Sequence, residues 1–140
     1  MQSVKTIEIK TKHHPELGSL SFFEAEKDID FPIKRIYYTY GVPEAGQRGG
    51  HAHKKLQQVL FCPYGAIEFI LDDGQSIEHI LLDDPAKALV LDSGIWRDMI
   101  WRQAGSVLCV GASAWYDAED YIRDYATFKQ MVQEGYWHED

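Results

Sequence analysis

Short runs of alternating or wholly apolar residues follow one another between residues 33 and 112, and none is long enough to argue for a helix. The clearest cover 33–40, 58–62, 66–71, 76–82, 88–91, 95–101 and 106–112. Glycines and prolines punctuate them, at Pro43 to Gly50, Pro63 to Gly65, Asp83 to Pro85, Ser93 to Gly94 and Gly105. Asp72-Asp73-Gly74 sits between two runs and predicts a tight hairpin, because Asp and Gly accept the positive φ that such a turn imposes. Many short strands at close spacing predict a mainly β fold, a sandwich or a barrel.

After Trp115 the period changes. Asp117 is placed to cap a helix with Asp120 at its third position, and Tyr121, Tyr125 and Phe128 then recur at i, i+4 and i+7. Ile122 and Met131 or Val132 lie beside that stripe. The pattern predicts a C-terminal amphipathic helix over about 118–133, its aromatic face packed on the β structure rather than offered to a partner.

With 140 residues, 45% hydrophobic and 26% charged, and with no internal repeat or linker, the chain reads as one domain, 1–140. A net charge of −8 argues against nucleic acid or an anionic membrane as partner, so any nucleotide must be gripped locally. Residues 1–20 mix lysines and histidines with short apolar stretches and lack the apolar core of a signal peptide. No run approaches the roughly 18 apolar residues of a spanning helix. Cys62 and Cys109 each lie within an apolar run, as buried thiols do. The expected setting is cytoplasmic.

The chemistry concentrates between Gly46 and Gln58. His51 and His53, two apart on a strand, project from one face and enter the same cavity if a barrel closes around them; as edge residues they would instead face solvent. The spacing from His51 through Gln58 to Gly65 resembles the first motif of the cupin superfamily, and Asp92-Ser93-Gly94-Ile95-Trp96-Arg97 resembles the second. Metal-binding cupins use both histidines, a Glu and a third His. Here Gln58 and Arg97 hold the last two places. Gln carries no charge, and Arg is a permanent cation without a lone pair, so the reading is a cupin-type double-stranded β-helix, a jelly-roll barrel, with no metal.

Nearly the whole chain, about residues 17 to 130, resembles the dTDP-4-keto-6-deoxyglucose 3,4-ketoisomerases of bacterial deoxysugar pathways. The resemblance rests on the segments Phe31 to Tyr38, Arg48 to Val59, Leu71 to Gly74, Ile95 to Arg97 and Trp115 to Tyr125. It implies an isomerase that moves a carbonyl from C4 to C3 of a dTDP-linked hexose, as a homodimer without metal or redox cofactor. Its pathway neighbours would be a PLP-dependent aminotransferase and an acyltransferase. Such chemistry needs a base for the C3 proton, an electrophile for the enediolate and an acid at C4.

His51 is the first choice for the base, with His53 as second proton carrier or hydrogen-bonding partner. Tyr37 either donates its phenolic proton to a sugar oxygen or is a buried aromatic. Arg48 and Arg35 either hold the pyrophosphate or form surface ion pairs. Arg97 would hold the oxyanion, and Gln58 and Trp96 would contact substrate. Trp96, Trp101, Trp115 and Tyr38 are the candidates for stacking on thymine. The rivals are a dTDP-sugar 3,5-epimerase, which pairs a catalytic His with an Asp and a Tyr that the sequence does not place here, and a sugar-binding cupin without activity. Within the resembling family, Trp-Arg in the second motif and no Arg before the early Gly mark the group giving the 3-keto-gluco product. Trp96-Arg97 and Leu17-Gly18 fit that group.

Overall fold

A computed structural model describes residues 1–138; the last two positions of the expected 1–140 domain lie outside the described residues. The strands are β1 (Val4–Glu8), β2 (Lys10–His14), β3 (Gly18–Phe22), β4 (Arg35–Thr39), β5 (Gln47–His53), β6 (Gln58–Tyr64), β7 (Ile67–Asp72), β8 (Ile77–Leu82), β9 (Lys87–Leu91), β10 (Trp96–Trp101), β11 (Val107–Ala112) and β12 (Tyr121–Ile122); one helix, α1 (Tyr125–Gln133), follows. Each of the seven predicted runs forms one strand, β4 and β6 to β11. The hairpin expected at Asp72 to Gly74 joins β7 to β8, with Gly74 at φ 92° and Asp72 Oδ1 accepting from its N–H.

Two five-stranded antiparallel sheets, ordered β1-β9-β6-β11-β4 and β12-β5-β10-β7-β8, form the jelly roll, and β2 and β3 make a separate hairpin. Apart from the β7–β8 hairpin, the chain from β4 to β12 alternates between the sheets, so strands adjacent in sequence face each other across the core. Leu60, Ile67, Phe69, Leu71, Leu89, Leu91, Met99 and Trp101 fill the interior. Their partners in alternation, Val59, Ala88 and Val90, face outward and are covered by Ile9, Ile29 and Phe31. Strands buried on both faces read as continuous apolar runs, which is why β6 and β9 stood out in the sequence. The N-terminal strands did not, because β2 and β3 are mostly exposed and polar.

The predicted helix is shorter than 118–133. Asp117 caps only one 3-10 turn, Ala118–Asp120, by accepting from the Glu119 N–H. The chain then extends, because edge strand β5 offers unpaired backbone groups and Tyr121 and Ile122 pair with His53 and Ala52. The helix starts after Asp124, whose side chain accepts from Thr127 N at 3.0 Å and Thr127 Oγ1 at 2.7 Å. Phe128 and Val132 are buried against Ala52, Trp96 and Ile122 on the outer face of the second sheet. Full burial of such side chains stabilises by about 1.5–3 kcal/mol each. Tyr125 belongs to the helical stripe as expected; Tyr121 belongs to the strand and points the other way, toward the interior histidines.

Candidate active site

The interior changes character along its length, from apolar at Trp101 to polar around His51 and Arg97. A bulge on β5 creates this end. Gly49 and Gly50 take φ 100° and 71°, and the register against β10 shifts between Arg97 and Asp98. A Cβ on Gly49 would stand 2.7 Å from the Arg97 carbonyl oxygen, so this close approach requires glycine. The shift sets His51 opposite Arg97, while β12 sets Tyr121 opposite His53. Directly opposed residues share a face of the sheet, so all four point inward. From the facing sheet, β4 contributes Arg35 and Tyr37, and β6 contributes Gln58.

These groups form two hydrogen-bonded chains. In the first, Arg97 Nη1 donates to Gln58 Oε1, Arg97 Nη2 donates to the Ile95 carbonyl at 3.0 Å, and Gln58 Nε2 donates to the Tyr37 hydroxyl oxygen at 2.9 Å. In the second, His53 Nδ1 donates to Asp120 Oδ2 at 2.9 Å, and Asp120 Oδ1 accepts from the Lys55 N–H at 2.8 Å. The rings of His51 and His53 meet edge to face at 5.0 Å, with Tyr121 5.1 Å and 4.5 Å from them. Arg35 lies over Tyr37 at 5.2 Å and Arg123 over Tyr121 at 4.4 Å. A cavity of about 260 Å³ opens here, lined by Arg35, Tyr37, Arg48, His51, Tyr121 and Arg123.

Among the described residues, the buried side-chain polar atoms without a partner are Arg35 Nε, His51 Nδ1, His53 Nε2 and Arg97 Nε. All belong to this cluster. A buried polar group left unmade costs about 1–3 kcal/mol, so their concentration in one place marks a site kept for binding or catalysis rather than stability. Burial, followed by the charge of Arg97, pushes both histidines down to about 3; His51 and His53 are neutral at pH 7. With Nδ1–H donated to Asp120, His53 presents its lone pair at Nε2. Both histidines bind a proton far more readily when unfolded, so folding stability declines as pH falls below about 6.5. Burial lowers Arg97 to about 10, which leaves it charged at neutral pH, and raises Tyr37 above its ordinary range.

The structure brings His51, His53, Tyr37 and Arg97 together and puts Arg35 and Arg48 on the cavity wall. Two residues expected to contact substrate are not on the cavity wall. Trp96 is 9% exposed and packs against Tyr125 and Phe128 beneath α1, because its neighbour Arg97 takes the inward face of β10. Gln58 is 1% exposed, and both ends of its amide are taken by Arg97 and Tyr37. Trp101 is fully buried and donates to the Ser106 carbonyl, which removes it as a thymine platform; Trp115 and Tyr38 remain exposed. Asp120, Tyr121 and Arg123 were missed as site residues. They lie in the Trp115 to Tyr125 block, whose specificity was legible, but a helical reading turned Tyr121 toward the core. The His-Asp pair that the sequence did not place is His53 with Asp120.

The donor set does not fit a divalent cation. Where a metal-binding cupin has its acidic ligand, Gln58 is bound to a guanidinium, and the fourth position is that guanidinium. No group of three or more His, Cys, Asp and Glu suited to a metal occurs among the described residues. Neutral imidazoles facing a fixed cation suit proton transfer beside a developing oxyanion, and with the jelly roll they define a cupin-type isomerase.

The chain belongs to the FdtA family, described as WxcM-like, C-terminal, whose profile matches residues 2–133. It is 45% identical over 115 residues, 82% of this chain and 83% of the relative, to the TDP-4-oxo-6-deoxy-alpha-D-glucose-3,4-oxoisomerase of Aneurinibacillus thermoaerophilus. Among solved structures it is similar to QdtA, a sugar 3,4-ketoisomerase from Thermoanaerobacterium thermosaccharolyticum in complex with TDP. That likeness has a TM-score of 0.91 at 36% identity, covering 96% of this chain and 97% of that one. The TDP-quinovose 3,4-ketoisomerase WlaRB of Campylobacter jejuni aligns with a TM-score of 0.88 at 37% identity, covering 93% and 99%.

Proposed function

We propose that this protein isomerises dTDP-4-keto-6-deoxyglucose to dTDP-3-keto-6-deoxyglucose, by proton transfer through an enediolate. The observation that carries the reading is His51 set opposite Arg97, with Tyr37 facing both from the other sheet. His51 takes the C3 proton, and the electron pair forms the C3–C4 double bond while O4 becomes the oxyanion beside Arg97. Tyr37 gives its proton to O4 and takes the one on O3, which transfers the negative charge to O3. That charge then forms the C3 carbonyl as C4 takes a proton from water on the opposite face, and His51 releases its proton to solvent. Protons and electrons balance without a cofactor.

Arg35, Arg48 and Arg123 surround the cavity mouth and supply the diphosphate grip that an acidic protein otherwise lacks. The bound diphosphate brings negative charge near His51 and raises its basicity toward the ordinary range. H3 and the H4 of the gluco product lie on opposite faces of the ring, and Arg97 stays charged and returns no proton, so the gluco reading has water protonate C4 from the face that His51 does not serve. The same reading includes a cytoplasmic homodimer acting before a PLP-dependent aminotransferase and an acyltransferase. No described helix is long and apolar enough to cross a membrane.

Incubation with dTDP-4-keto-6-deoxyglucose, enzymatic amination and proton NMR test the proposal. Large H3–H4 and H4–H5 couplings are expected; a small H4–H5 coupling would reveal the galacto product. The His53–Asp120 pair favours one rival, a 3,5-epimerase. Reaction in deuterated water separates the two, since an epimerase leaves the ketone at C4 and labels C5, whereas the ketoisomerase moves the ketone and leaves C5 unlabelled. Enzyme dialysed exhaustively against a chelator is expected to keep its turnover. Loss that a stoichiometric divalent ion restores would contradict the metal-free reading.

A further inference from the structure

Gln58 stands where metal-binding cupins carry a carboxylate, and it is fully enclosed between two side chains of fixed polarity. The Arg97 guanidinium only donates, so the end of the Gln58 amide that faces it is the oxygen, which accepts. The Gln58 NH₂ must then face Tyr37, and it lies 2.9 Å from the phenolic oxygen. An oxygen that accepts from Gln58 directs its own hydrogen elsewhere. Tyr37 makes no other hydrogen bond among the described residues, and it lines the cavity beside His51. We infer that Gln58 is a positioning residue: through the order Arg97 to Gln58 to Tyr37, it turns the Tyr37 proton into the substrate cavity. This rests on the ketoisomerase reading, in which that proton passes between O4 and O3.

A carboxylate at position 58 reverses the order. It accepts from Arg97 and from Tyr37 alike, so the phenolic proton turns away from the cavity. Gln58→Glu exchanges one heavy atom, the amide nitrogen for an oxygen, at nearly constant volume, which makes it a polarity test rather than a packing test. Losing one preorganised donor lowers kcat by about 100- to 1,000-fold, and a loss of that order is expected, with KM for the sugar nucleotide within about threefold. In a Tyr37→Phe background the same substitution is expected to add little, because the group it acts through is gone.

A second readout is independent of activity. The Tyr37 ring carbon, followed by NMR of ¹³C-labelled tyrosine and assigned by its loss in Tyr37→Phe, is expected to titrate at higher pH in Gln58→Glu than in the wild type. The other charged or titratable groups about Tyr37 are Arg97, Arg35 and Tyr121, with His51, Arg48 and Arg123 on the same cavity wall, and the substitution leaves them in place. If Gln58→Glu does not fold, Gln58→Met carries the test. It removes the donor to the Tyr37 oxygen and shifts the titration in the same direction. An unchanged Tyr37 titration, or a full additional loss of kcat in the Tyr37→Phe background, overturns the inference. A wild type that does not turn over dTDP-4-keto-6-deoxyglucose, with the titration shift present, instead overturns the functional reading and leaves the positioning role standing.

Discussion

His51→Asn is expected to fold as the wild type does and to lose about 100- to 10,000-fold in turnover, the range that a general acid or base contributes. Asn keeps polar hydrogen-bonding atoms while removing the titratable nitrogen. The substitution also deletes a ring held against His53 and Tyr121, yet His51 is only partly buried, so the melting temperature is expected to change little. His53→Asn is expected to lose less, since His53 is enclosed and reaches the cavity through its neighbours. Single-turnover kinetics with the 4-keto sugar give the measurement, and full activity in His51→Asn would move the base role to His53 or Tyr37. Because burial and Arg97 hold His51 near 3, the acid limb of kcat/KM, which reports the free enzyme, is expected well below pH 6.5. A limb at 6.5 would mean that the imidazole is solvated as an ordinary histidine is.

Arg97→Met is expected to cost about 100- to 1,000-fold in kcat, the value of a donor aimed at a developing oxyanion. Its effect on stability should have the opposite sign. Arg97 is 2% exposed, and its hydrogen-bond partners, Gln58 and the Ile95 carbonyl, are both neutral. Desolvating an ion without a paired charge costs several kcal/mol, against about 1–3 for each acceptor orphaned by its removal. The variant is therefore expected to melt no lower than the wild type while losing its activity. Binding of dTDP by calorimetry is expected to stay within a few-fold, because the diphosphate is assigned to Arg35, Arg48 and Arg123. A large drop in both melting temperature and dTDP affinity would make Arg97 a structural cation. Arg97→Lys is expected to fail as well, because a single ammonium cannot span Gln58 Oε1 and the Ile95 carbonyl with the geometry of a planar fork.

Seven strands, β4 and β6 to β11, were legible as apolar or alternating runs; β5, whose first half reads as a turn, and β12, which reads as helix, were not. Alternation in 95–101 separates the inward Arg97, Met99 and Trp101 from the outward Trp96, and the register of β10 follows it. The hairpin at Asp73 and Gly74 was legible from turn chemistry alone. The error at 118–124 came from a real ambiguity: Tyr121, Tyr125 and Phe128 satisfy a helical period, and nothing local says that β5 has a free edge waiting for Tyr121. That free edge is a long-range fact, since Tyr121 and His53 are far apart in sequence. The same blindness hid the His53–Asp120 pair.

What the sequence by itself determined is the β class, the shared face of His51 and His53, and a neutral Gln58 and cationic Arg97 where metal-binding cupins carry ligands, because each follows from the pattern of short runs, from spacing of two along a strand or from the chemistry of one side chain. Only the tertiary structure decided who faces whom. The Gly49 bulge sets His51 against Arg97, strand β12 carries Tyr121 and Asp120 to the histidines, and sheet packing places Tyr37 on Gln58. These contacts join residues from five strands and one turn, and their energetics depend on exclusion of water between two sheets. Local pattern encodes which face a side chain takes; it does not encode what the opposite sheet presents to it.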